Sequence, residues 1–238
     1  MSKPWTVAKV NLKNLTVPYW VTGGLFVAIF GQIMINVIII AFSNKNLGME
    51  GNMTISAGSF LWLLIPLAAW RLSGNHYQRL VNLGARRRDF LWGGLTTIAV
   101  LAATVSLVNM AIYYVMDTPI NQSDRYPGII NLLEVFGWIN HGPIIAFVQQ
   151  FAFLVLVGVF CHTLGSCQDK WYGWMADGLL ISIISVFTPI ASLRQAEGVF
   201  FYLIIFEPRA WIQIGACLIL AAVIFSLNKP IYDRKELL

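Results

Sequence analysis

From Pro18 to Phe42 the chain runs without a single charged side chain, longer than the roughly 20 mainly apolar residues an α-helix needs to cross a bilayer. Lipid offers no partner for a bare N–H or C=O, so a segment that crosses it must satisfy its own backbone, as a helix does. Five further stretches read the same way, at about 55–71, 90–116, 143–166, 173–193 and 209–227. The expectation is an all-α membrane protein with six transmembrane helices. The second stretch is short and carries Pro66, which predicts a kink turned toward protein.

Composition agrees with a bilayer. The chain is 58% hydrophobic and 11% charged, with mean hydropathy +0.69, whereas soluble domains are about 45–50% apolar and about 25% charged. A net charge of +5 and a pI near 9.2 do not point to nucleic acid, because the cations flank apolar runs rather than striping a soluble surface. Cys161, Cys167 and Cys217 lie in or beside apolar segments without zinc spacing, and they read as small core residues. Met1 to Lys13 is polar and basic, and the apolar run after it is too long for a signal-peptide core. No soluble domain fits between the spans.

Lys and Arg in short loops set orientation. Of the 16 such residues, only Lys45, Arg125, Arg194 and Arg209 fall on one side, and the rest collect on the other. Both termini are therefore expected in the cytoplasm. Trp20, Trp70, Trp92, Trp171 and Trp174 fall near the inner boundary, and Trp138 and Trp211 near the outer one, as interfacial tryptophans should. Two external segments, residues 128–138 (GIINLLEVFGW) and 198–206 (GVFFYLIIF), are apolar but too short to span. Each lies in the interface, dips in and returns, or packs on the helix tops. The stretch WTVAKVNLKNLTVPYW fits an amphipathic helix along the inner surface, and its alternation over residues 5–12 also fits a strand.

Polar residues within the spans are candidates for function. Gln32 and Asn36 share a helix face and are expected to bond between helices. Asn109, Gln149 and Gln150 lie inside the third and fourth spans. His162 and Asp177 lie near the cytoplasmic boundary, where hydrogen bonding or solvation competes with a role toward substrate or protons. His141, in NHGP, reads as a structural loop residue.

The densest charge is in YQRLVNLGARRRDFLWGG, residues 77–94. Tyr77, Leu80, Val81 and Leu83 share one helical face, with Gln78, Arg79 and Asn82 opposite. Gly84 offers a helix stop, Arg86, Arg87 and Arg88 meet the headgroups, and Asp89 is placed to cap the third span. A loop that only anchors topology explains the arginines but not the apolar stripe, which calls for a packing partner.

LVNLGARRRDFLWG resembles the stretch after the second membrane helix in six-span permeases of ATP-binding-cassette exporters, the type 2 permease superfamily. Leu83, Gly84, Arg87, Arg88 and Phe90 fill an apolar-X-X-Leu-Gly-X-X-Arg-(Lys/Arg)-X-Phe pattern. The resemblance implies a single permease domain over 1–238, with a cytoplasmic amphipathic segment at 1–16, a coupling loop at 72–89 and an external re-entrant segment at 196–208. The helix at about 74–83 would dock on a separate ATPase subunit through Tyr77, Arg79, Leu80, Val81, Leu83, Gly84, Arg86, Arg87, Arg88 and Asp89. A second permease chain would complete the path, with Trp62, Ile184, Phe187 and Pro189 as lining candidates along the second and fifth spans. The chain has no Walker-type Gly-X-X-X-X-Gly-Lys-(Ser/Thr) motif, so ATP and Mg would sit on the partner and this chain would carry no cofactor.

The expected function is export of hydrophobic or amphipathic cargo, a peptide, toxin or antimicrobial foremost, from a bacterial inner membrane. The rival transporter is the six-span substrate-binding component of an ATP-driven vitamin or metal importer, which would need no coupling helix of its own. An intramembrane hydrolase is disfavoured: Gly-X-Ser-X-Gly, His-Glu-X-X-His and paired intramembrane carboxylates are all missing from the sequence.

Overall fold

The computed structural model describes residues 4–43, 54–77, 86–123, 128–168, 171–182 and 190–233. These are almost wholly helical. α1 (Pro4–Asn14) leads into α2 (Thr16–Ser43). Two short helices, α3 (Ala57–Phe60) and α4 (Leu64–Arg71), follow, then the long α5 (Arg87–Ile112). A cap holds α6 (Thr118–Asn121) and α7 (Leu132–Val135). The chain closes with α8 (Pro143–Cys167), α9 (Trp171–Ile181), α10 (Ala191–Phe201) and α11 (Ala210–Asp233).

Among the described residues, four helical stretches are long and apolar enough to cross a membrane: Thr16–Ile39, Arg87–Asn121, Pro143–Cys167 and Ala210–Tyr232. The expected second span is a chain of short pieces. A 3-10 turn at Leu61–Leu63 precedes α4, and a π turn at Leu72–His76 follows it, broken at Gly74 (φ −93°, ψ −116°). Pro66 sits in the first turn of α4, where it has no N–H to donate across the tighter turn before it. The expected fifth span, 173–193, is not one helix: Ile190 is extended (φ −79°, ψ 115°) and α10 starts after it. Pro189, immediately before, has no N–H with which to continue a helix.

α8 is the hub, packed against α4, α5 and α11. Half of its most apolar stretch is buried, against 11% for the first span, which touches the bundle mainly through α3 and the turns before and within α4. In lipid, helix association rests on close packing rather than hydrophobic drive, so small residues decide it. Gly158 is such a notch: a Cβ there would run into Ile98 Cγ2 and lie 3.0 Å from Ile65 Cγ2. Gly158→Val is therefore expected to lose about 1–3 kcal/mol through overpacking, read as a lower melting temperature in detergent.

The N-terminal segment is a helix, not a strand, and it is not laid free on a surface. α1 packs along α5, burying Val7, Ala8 and Asn11. A Cβ on Gly93 would meet Val7 Cγ1 at 2.6 Å, so this glycine is the seat for α1. Asn11 Nδ2 donates to Thr97 Oγ1 at 3.4 Å one turn on.

At the opposite end, the apolar segment 128–138 packs on the helix tops. Thr54 pairs with Ile129 and Ile55 with Ile130 in a two-residue parallel ladder between β1 (Thr54–Ile55) and β2 (Ile129–Ile130). Leu133 and Trp138 bury against Met110 and Ala146. Trp138 is thus a core residue, not the interfacial anchor its position implied, whereas Trp20, Trp70, Trp92, Trp171, Trp174 and Trp211 are all exposed. Gly142 (φ 88°) turns the chain into α8, with Pro143 at the first helical position. The segment 198–206 completes α10 and a π turn, Tyr202–Phe206, resting on α11.

Candidate functional site

The two stems of the arginine-rich loop, Tyr77 and Arg87 to Phe90, come together with both ends of the described chain. Val7, Tyr77, Phe90, Leu91 and Tyr232 form one buried cluster. Tyr77 lies 4.7 Å from Tyr232 and 5.1 Å from Phe90 between ring centroids, and Phe90 lies 5.6 Å from Tyr232. Offset and edge-on contacts of this kind add about 0.5–1.5 kcal/mol each beyond burial.

Tyr232 is also held by polar contacts. Ser166 Oγ donates to the His162 carbonyl at 2.7 Å, so at the 2.8 Å contact between Ser166 Oγ and Tyr232 Oη the tyrosine is the donor. His162 Nε2 lies 3.5 Å from the same hydroxyl. His162 is buried among Phe90, Ser166 and Tyr232, in keeping with hydrogen bonding between helices. One turn back, Asn228 Nδ2 donates to Thr163 Oγ1 at 2.9 Å and fastens α11 to α8 again.

The arginine collar divides. Arg87 turns inward, and its Nη1 donates to the Tyr232 carbonyl at 3.0 Å. That carbonyl is among the last of α11, where a cation satisfies an orphan acceptor and the negative helix end. Arg86 and Arg88 are exposed. Asp89 is not the N-cap: α5 begins at Arg87 with Arg86 as its cap residue, and Asp89 lies in the first turn, favourable to the helix dipole. Arg79, Leu80, Val81, Leu83 and Gly84 lie outside the described residues, as do Ile184, Phe187 and Pro189. Reversing Arg86 and Arg88 together to Glu should leave stability within about 0.5 kcal/mol, as exposed substitutions do. Arg87→Glu should lower the melting temperature by placing a carboxylate against the Tyr232 carbonyl. Parallel thermal melts of the two variants check this.

Trp62 is at the far end, in an aromatic group with Phe136, Trp138 and Phe153 at centroid distances of 5.9, 5.9 and 5.8 Å. Nearby, Asn109, a candidate from its place inside the third span, joins a polar hub with three residues that the sequence does not single out, Ser56, Asp117 and Asn131. Asn131 Nδ2 lies 2.8 Å from Asp117 Oδ2, 3.1 Å from Asn109 Oδ1 and 3.2 Å from Ser56 Oγ. Its Oδ1 accepts from the Leu133 N–H at 3.0 Å, which caps α7 and fixes the amide's orientation. All four side chains are fully buried. A lone Asn inside IINLLEVF was the available signal.

Side chains also cap the carbonyl end of the 191–206 segment. Trp138 Nε1 donates to Ile205 O at 2.8 Å, Gln213 Nε2 to Ile204 O at 2.9 Å and His141 Nε2 to Pro208 O at 2.8 Å. His141 is thus structural. Gln168 Nε2 donates to Asp177 Oδ2, tying α9 to the end of α8. Gln32 is exposed, and neither it nor Asn36 bonds to another helix among the described residues.

Comparison with known proteins returned no match, whether to a family model, a curated protein or a solved structure. No group of three or more His, Cys, Asp or Glu able to hold a metal ion occurs among the described residues.

Proposed function

We propose that the chain is the membrane permease subunit of an ATP-driven exporter, moving hydrophobic or amphipathic cargo while a separate subunit hydrolyses ATP. The observation that carries this reading is the grip on the arginine-rich loop. One stem of that loop stacks on the Tyr232 ring and the other donates to its backbone. A push delivered to the loop is therefore delivered to α11, and through Ser166 and Asn228 to α8. Rigid-body coupling needs such a two-sided attachment, because a loop held at one stem yields by bending. Two exposed arginines, Arg86 and Arg88, suit an acidic partner. Cytoplasmic termini, a paired second permease chain and a bacterial inner membrane follow from the same reading.

The test is gentle purification of the tagged chain from its native membrane, with mass spectrometry of what accompanies it. An ATPase subunit at about one per permease chain is the expected result. Leu80→Asp with Val81→Asp should then release the ATPase while leaving the bundle's melting temperature unchanged. A well-folded chain that repeatedly comes out alone would refute the reading.

A further inference from the structure

The half of the bundle toward the cap buries polar atoms that no described residue satisfies. Among the described residues, neither amide atom of Gln149 nor of Gln150 has a hydrogen-bond partner, and Ser106 Oγ, Gln213 Oε1 and Trp62 Nε1 are orphaned as well. Gln149, Gln150, Ser106 and Gln213 are fully buried. Buried side-chain amides are nearly always bonded, so two adjacent ones with no partner call for an explanation.

These orphans share a depth. Gly94 faces His162 and Gly158 faces Ile98, which sets the antiparallel register of α5 on α8. Carried about two turns further, that register brings Ser106 level with Gln150. Thr163 with Asn228 and Ser166 with Tyr232 set the parallel register of α11 on α8. Carried toward the cap, it brings Gln213 level with the same glutamines. Gly158 with Ile65 and Gly165 with Ser73 place Trp62 about one turn deeper. Three helices thus bring unpaired donors and acceptors to one depth, with the Trp62 N–H about one turn away.

We propose that this layer is a hydrogen-bonding site for the backbone of a neutral, apolar peptide, exposed when α5 and α8 part. The chemistry selects the ligand. A glutamine amide both donates and accepts, as a peptide group does. The orphan groups carry no charge, so an ionic headgroup gains nothing over water, and an acyl chain has nothing to bond. The helices close over these atoms here, and leaving them unpaired disfavours the closed arrangement against one that admits a partner. The proposal rests on the exporter reading for its place in a transport path and names the class of cargo. Its test needs no ATPase.

The test is the thermal stability of the purified chain in lipid nanodiscs. The probe is an N-acetylated, C-amidated peptide of alternating Ala and Leu, compared with the same peptide N-methylated along its backbone. The unmodified peptide should raise the melting temperature saturably, and the N-methylated one should bind at least about tenfold more weakly. Gln149→Leu with Gln150→Leu should melt no lower than the native chain and lose the peptide response. Gln149→Met with Gln150→Met, closer in shape, should do the same. A lower melting temperature in both double variants would show that the amides are bonded within the fold and overturn the site. So would equal responses to the two peptides, an unaltered response in the variants, or no response at all in the native chain, which would leave water as the occupant. Peptide binding without a co-purifying ATPase would keep the site and remove the exporter reading, and the reverse pair of results would do the opposite.

Discussion

Tyr232→Ala is expected to cost about 3–5 kcal/mol, the range for truncating a large buried aromatic side chain. The loss combines three ring contacts, with Tyr77, Phe90 and His162, and the hydroxyl's bond to Ser166. Tyr232→Phe keeps the rings and loses only the hydroxyl, for about 1 kcal/mol. If the loop acts through this residue, the Ala variant should also stop cargo movement while a docked ATPase still turns over, whereas the Phe variant should transport. Thermal melts and paired ATPase and transport assays separate the two effects. Normal coupling in a folded Ala variant would mean that force leaves the loop by another route.

Asn131→Leu is expected to be comparably severe, at about 3–5 kcal/mol, because it removes one amide donor from a buried carboxylate and two further buried oxygens at once. Asp117 loses the amide donor 2.8 Å from its Oδ2, and Asn109 and Ser56 lose the same one. The leucine also removes the cap of α7. Damage should concentrate in the cap, so limited proteolysis of residues 118–142 should accelerate before the bundle melts. Adding Asp117→Leu should recover much of the loss, because removing both partners of a buried polar pair is far milder than removing one. A double variant as unstable as the sum of the singles would show that Asp117 has another role.

The sequence made the bilayer legible because span length and missing charge are local properties. Thr16–Ile39, Pro143–Cys167 and Ala210–Tyr232 match the apolar runs closely, and the third span extends to Asn121. The second and fifth runs read as spans by composition, and although Pro66 predicts a kink, composition does not show the break at Gly74 or the extended Ile190. α1 was ambiguous between helix and strand because its partner, the Gly93 groove, lies far along the chain. The loop's stems were found because arginines and an apolar stripe are conspicuous. Their anchor was not, since Tyr232 follows Pro230 in what reads as a polar tail. Asp117 and Asn131 were missed for the same reason: each looks like an ordinary loop residue until the fold places them 2.8 Å apart.

The grip of Arg87 on the Tyr232 carbonyl joins residues 145 positions apart. At roughly 5–20 residues per second of synthesis, the loop and both its stems exist for about 7–30 s before the residue that holds them is made. Throughout that interval the stems have each other and α1 to pack on, through Tyr77, Phe90 and Val7, but not Tyr232. On the exporter reading, a loop braced from both sides exists only once α11 has been made. On the exporter reading, the order of translation would time partner recruitment, and a chain stalled short of Tyr232 would not engage the partner.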